Sequence, residues 1–424
     1  MTTAEAFSPI RDPYVRATAI GRCAAAMSQQ IINVAVGWQL YERTGSALSL
    51  GLVGLFELAP VVALTIVAGN AADRYSRRNI AVMAQGLLAC AAIGLATVSH
   101  LHGPVWMIYS LLLVVGTARA FSNSSIATVL PQLIDRAHYA KATAWMSSAY
   151  QLASITGPAV GGFIIAGTGD ATTAYAAATL GQIIFVLCFL RLPALRPEAS
   201  AHKRSVADLF AGFTFIRRSP VFLAAITLDM FAVLLGGAVA LLPVYAKDIL
   251  HVGPQGLGWL RAAPGIGSLM MALALTRLKP WARPGRALSI TVIGFGLATI
   301  GFGLSTNFAL SAFCLLLTGV FDSVSVVIRL TLEQSLTPDR LRGRVSAINY
   351  VFIGFSNEFG TFESGLTAAL FGPVASVVGG GIGTIVVVLA VARLWPQLMR
   401  LPPLHTIEPD EAAAAPEAEV RHAV

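Results

Sequence analysis

Apolar runs of about twenty residues, broken by short polar stretches, set the pattern of this chain. One bilayer crossing needs roughly 20 apolar residues. At that length the runs predict spans beginning near Ala17, Leu48, Asn79, Pro104, Lys141 and Ala171, then near Val221, Pro254, Gly285, Asn307, Val345 and Gly372. Helices are the expected spanning elements. The runs lack the apolar–polar alternation of barrel strands, and a helix satisfies its own backbone groups. The chain reads as an all-α membrane protein with about twelve transmembrane helices.

The longest polar interruption, residues 191–220, divides the spans into two sets of six. The expected organisation is an N-terminal six-helix bundle over 1–195, a cytoplasmic linker over 196–219, a C-terminal six-helix bundle over 220–400 and a tail over 401–424. Within the linker, Val206, Leu209, Phe210, Phe213 and Ile216 recur at helical spacing. Ser205 and Asp208 open that stretch as a capping box, and Arg217 and Arg218 close it. This predicts an amphipathic helix lying on the cytoplasmic surface. The tail is rich in Ala, Pro and Glu, a composition that predicts disorder.

Composition agrees with the spans. Hydrophobic residues make up 56% of the chain and charged ones only 12%, against about 25% charged in soluble domains. The formal charge of +8 raises nucleic acid as a partner, but its distribution argues for insertion instead. With the N-terminus inside, nearly all Lys and Arg fall at inner ends and loops; Arg43, Arg119, Lys247 and Arg261 are the exceptions. The outer loops 99–104 and 305–308 hold neither residue type. That positive-inside pattern predicts both termini in the cytoplasm. Trp38, Trp106, Trp145, Trp259, Trp281 and Trp395 lie near span ends and read as interfacial belt residues. Cys23, Cys90, Cys188 and Cys314 are scattered without C-x-x-C pairing, so neither a disulfide framework nor a metal site is expected. Residues 1–20 lack a signal-peptide pattern, and the first span is the expected insertion signal.

Between the second and third spans lies Gly69-Asn70-Ala71-Ala72-Asp73-Arg74-Tyr75-Ser76-Arg77-Arg78. It resembles the G-x-x-x-D-R-x-x-R-R loop of major facilitator superfamily transporters and fills every specified position. A charge-assisted bond from Arg77 or a neighbouring helix end to Asp73, made in one conformation only, would bias outward-open against inward-open states. Arg74 and Arg78 read as part of that gate or as anchors alone. In the fifth span, Gly157-Pro158-Ala159-Val160-Gly161-Gly162 combines a kink-favouring proline with glycines that admit a close helix. It looks like the G-P-x-x-G-G signature of drug/proton antiporters in that superfamily. Together with the polar run 356–365, these motifs are most similar to the branch of the enterobactin exporter and transmembrane secretion effectors. The resemblance implies a twelve-helix major facilitator fold in a bacterial inner membrane, working mostly as a monomer. It also implies proton-driven efflux, by alternating access, of a siderophore, drug or secreted metabolite. An importer or uniporter, or a non-transporting sensor on the same fold, is the competing reading.

Ionisable residues inside spans are costly, and they are candidate sites by default. Glu57, Arg119, Asp229, Asp322, Glu358 and Glu363 meet that description. Glu57, Asp229 or Asp322 is read as a proton carrier, with Arg119 as a partner that adjusts a carboxylate or meets an anionic group. The alternative is a set of ion pairs that hold helices in register. Glu358 and Glu363 point about 140° apart on a helix and do not form one site; their polar run reads as a broken or a cavity-lining helix. No G-x-x-x-x-G-K-[ST] loop, H-E-x-x-H or paired-Asp magnesium motif occurs, which argues against ATP drive and against an embedded enzyme. The proton gradient is the expected driving force, with no cofactor.

Overall fold

The computed structural model describes residues 12–126, 129–134, 136–193, 206–279, 281–407 and 409–410. Among these residues the regular structure is helical, without strands. The long helices are α1 (Pro13–Thr44), α2 (Ala47–Arg74), α3 (Arg77–His100), α4 (Val105–Ile126), α5 (Arg136–Thr168) and α6 (Ala171–Leu190), then α7 (Pro220–Leu235), α8 (Gly253–Leu275), α9 (Pro284–Leu304), α10 (Phe308–Leu336), α11 (Arg342–Phe371) and α12 (Pro373–Leu394). Among the described residues, 10 stretches are long and apolar enough to cross a membrane. α1 and α11 are not among them; at 32 and 30 residues they have the length but carry more polar side chains.

Local chemistry sets the ends. Asp12 accepts hydrogen bonds from the backbone N–H groups of Tyr14 and Val15 at 2.7 and 3.2 Å, and Pro13 occupies the first turn of α1, where its missing N–H is harmless. Gly45 closes the same helix at φ 61, the left-handed conformation that glycine adopts without strain.

Clustering of the packing divides the chain into two compact units, Met1–Lys203 with Val239–Gly265, and Arg204–Ala238 with Ile266–Val424. The first unit packs α1 against α5 and α6, α3 against α4 and α6, and α2 against α4. The second packs α9 against α10 and α12, and α7 against α11 and α12, around a core that includes Phe222, Leu288, Ile328 and Val388.

Several expectations are corrected. The broken helix is α7, not the polar run 356–365, which lies inside the continuous α11. α7 stops before Gly236-Gly237, and the chain goes on through a 3-10 turn (Ala238–Leu241), a helical turn (Leu242–Val244) and a π-helix (Tyr245–Ile249). Successive glycines weaken the helix there. Trp38 is 8% exposed, because residues 34–41 of α1 are buried all round; it is a core residue and not part of an interfacial belt. The linker helix exists as Val206–Arg218. On it, Phe213 is 45% exposed, while Phe215 and Ile216 enter the core. Ser205 and the side chains of Val206, Asp208, Leu209 and Phe210 lie outside the described residues. Ordered chain extends past residue 401: Leu404 and Ile407 pack on the core, and the N–H of Asp410 donates to the carbonyl of Leu336 at 2.8 Å. Residues 411–424 lie outside the described residues.

Candidate functional site

Each unit holds a cluster of ionisable side chains inside its helices. In the first, Arg119 of α4 forms an ion pair with Glu57 of α2. Gly116 sets the approach. A Cβ there would lie 3.1 Å from the carbonyl carbon of Glu57 and against its oxygen, so only glycine lets the two backbones meet. Glu57 is 5% exposed, whereas the Arg119 side chain is 30% exposed. The pair therefore buries its acid more deeply than its base.

In the second unit, Arg329 of α10 forms an ion pair with Asp229 of α7, and both are buried. Arg329 Nε also donates to Ser325 Oγ at 3.3 Å. Asp322 stands two turns before Arg329 on the same face of α10. It lines a cleft with Asp229, Thr291, Phe295, Phe321 and Ser325. Asp322 makes no hydrogen bond or ion pair of its own with a described residue, yet it lies near enough to feel the charges of Arg329 and Asp229. Asp322 thus stands near a guanidinium already paired with Asp229. Ionised, the trio carries a net negative charge; one proton neutralises it. Such coupled acids bind and release the proton as a group.

Arg329 is the functional residue that sequence reasoning missed. It lies far enough along its span to be counted with the inner-face arginines. The available signal was its spacing: Asp322, Ser325 and Arg329 fall at i, i+3 and i+7, one stripe of α10, and the buried Asp229 calls for a cation. Glu333, one turn further on, was also missed. It is buried and accepts hydrogen bonds from Ser346 and from Asn349 Nδ2, the latter at 2.7 Å. Glu358 and Glu363 of α11 are partly exposed. Glu363 accepts a long bond, 3.4 Å, from Ser364.

The charged turn is tighter than its sequence implies. α2 runs on to Arg74 and α3 begins at Arg77, which leaves only Tyr75 and Ser76 between them. Arg78 donates to the carbonyl of Leu192 at 2.7 Å, tying the turn to the end of α6. The Arg74 guanidinium lies 5.9 Å from the Tyr75 ring centroid. Arg77 Nε is buried and has no hydrogen-bond partner among the described residues; the side chain of Asp73, its expected acceptor, lies outside them. Nothing crowds Gly69.

Along α5 the glycines do separate jobs. A Cβ on Gly157 would come within 2.7 Å of Gln30 Cβ, and one on Gly161 within 3.2 Å of Ile31 Cα, so both seat α5 on α1. Gly162 meets Gly258 of α8, where a Cβ would lie 2.9 Å from the opposing Cα. Pro158 sits inside α5 without ending it, and its carbonyl oxygen is 2.7 Å from where a Cβ of Gly258 would fall.

Buried ion pairs between long apolar helices, beside a cleft that holds a further acid, define a membrane transporter of the multi-pass helical kind. Residues 18–361 match the model of the Major Facilitator Superfamily, and the chain belongs to that family. The enterobactin exporters EntS of Shigella boydii serotype 18 and Escherichia coli O81 are each 30% identical to it over 390 residues, 92% of this chain and 93% of theirs. Among solved structures, a bacterial homologue of the human lysosomal transporter Spinster, inward-facing and unoccupied, aligns with a TM-score of 0.69 at 12% identity, covering 92% of this chain and 97% of that one. The nucleoside transporter NupG aligns with a TM-score of 0.71 at 14% identity, covering 90% of this chain and 100% of that one. At such identities these two likenesses speak for the fold alone.

Proposed function

We propose that the protein exports a small, siderophore-like organic molecule across a bacterial inner membrane, driven by inward proton flow. The observation that carries this reading is the match to enterobactin exporters along 92% of the chain. Both termini face the cytoplasm, and two six-helix bundles, 1–195 and 220–400, alternate access to one path. Asp322 takes up the entering proton, with Asp229 and Arg329 holding the charge around it. Glu57 and Arg119 couple α2 to α4 in the first bundle, and the Gly69–Arg78 turn with the α5 glycines biases the alternation. The chain works as a monomer without a cofactor.

The test uses inverted membrane vesicles from a host that lacks its own siderophore exporter. An imposed pH gradient should drive uptake of labelled enterobactin into vesicles carrying the wild-type chain. Asp322→Asn should lower that uptake at least about tenfold at unchanged expression. A host that accumulates more siderophore when the chain is expressed would overturn export; undiminished pH-driven uptake in Asp322→Asn would overturn the assignment of the proton site.

A further inference from the structure

Arg22 of α1 is a cation among helices that meets no acid among the described residues. It makes no ion pair with a described residue, and its hydrogen bond runs from Nη1 to the sulfur of Met146 in α5, 3.4 Å away. Thioether sulfur is a weak acceptor, so most of the guanidinium's donors are unused. Arg119 and Arg329, by contrast, each face a carboxylate. On α5, Tyr139 and Tyr150 lie close enough to feel the Arg22 charge. With Met146 they fall at i, i+7 and i+11 along α5, one face of that helix, and they are 41% and 52% exposed. On α1, Arg22, Gln29 and Asn33 repeat at the same spacing and are all partly exposed. Gln29 donates to Asn33 at 3.0 Å, and Asn33 to Gln30 at 3.4 Å. Polar and charged side chains at membrane depth turn towards protein or a water-filled path. Arg22 is the positive charge of this polar stripe on α1.

We propose that Arg22, Tyr139 and Tyr150 form a binding subsite for an aromatic anion, a carboxylate or phenolate carried on a flat ring. The guanidinium fork gives a carboxylate two parallel N–H bonds. The tyrosines add hydroxyl donors and ring faces against which an aryl group packs, and the Met146 sulfur suits a ring edge. The subsite rests on the export reading only for the purpose it serves; binding itself needs no turnover.

Equilibrium binding to the full chain in phosphatidylcholine nanodiscs tests this, with salicylate and its uncharged amide, salicylamide, as probes. The wild type should prefer salicylate by about tenfold, roughly 1.4 kcal/mol. Arg22→Gln should erase that preference while salicylamide binds as before, which also shows that the variant is folded. Arg22→Lys, with charge but no fork, should keep part of it. Equal affinity for the two probes, binding of neither, or a preference that survives Arg22→Gln overturns the subsite. Loss of the preference when phosphatidylglycerol is added to the discs assigns the charge to a lipid headgroup and overturns a solute subsite. A chain that passes these tests yet exports nothing from vesicles keeps the subsite and loses the export reading.

Discussion

Asp229 and Arg329 are worth more as a pair than either is alone. Removing Arg329 leaves the Asp229 carboxylate buried without its cation, which costs about 3–5 kcal/mol, whereas removing both members of the pair costs far less. Asp229→Asn and Arg329→Gln should therefore each lower the Tm of the purified protein, and the double variant should lose much less than the two added together. Simple additivity in a thermal-shift cycle would mean that the two do not act as a unit. Gly116 predicts a second effect at this scale. Gly116→Ala places a methyl against the Glu57 carbonyl and should destabilise by about 1–3 kcal/mol, with Glu57 and Arg119 left chemically intact. The acids at these sites were legible in sequence because a carboxylate inside an apolar run has few explanations. Arg329 was not, because a basic residue towards the inner end of a span already has one.

At the scale of elements, the break after α7 explains the polar run in α11. A Cβ on Gly360 would lie 2.9 Å from the carbonyl oxygen of Leu234, and one on Gly237 would lie 3.0 Å from the oxygen of Gly360 and against the Ser364 hydroxyl. The small residues of α11 thus receive the end of α7 where its ladder of hydrogen bonds stops. Gly360→Val should push the two apart and cost about 1–3 kcal/mol, read as a lower Tm and as faster backbone hydrogen exchange around residues 234–241. Unchanged exchange there would remove the claim. The sequence pointed to the polar run 356–365 as a place for a break, whereas the break falls at Gly236-Gly237. Only packing decides between them, since the residues that tolerate a break also tolerate a close neighbour.

For the molecule as a whole, the testable matter is which ends of the helices face which side. Lys and Arg gather at one set of ends, and the loops 99–104 and 305–308 hold none. In a variant freed of its four cysteines, Ser76→Cys should react with a membrane-impermeant maleimide only after the cells are opened, and Asn307→Cys should react in intact cells. The opposite result would invert the topology and, with it, the direction assigned to proton flow.

Periodicity, span length and charge bias are properties of neighbours along the chain. They were enough to establish a helical membrane protein, the approximate start of its spans, the linker helix and the motifs shared with its family. Which charges meet is a different kind of fact. Glu57 and Arg119 are 62 residues apart, and Asp229 and Arg329 lie on helices separated by α8 and α9. The first pair depends on Gly116, which lets the α2 and α4 backbones touch, and both depend on a low-dielectric interior in which a charge must find its complement. Only the folded arrangement shows that Arg22 meets a sulfur where Arg119 and Arg329 each meet an acid.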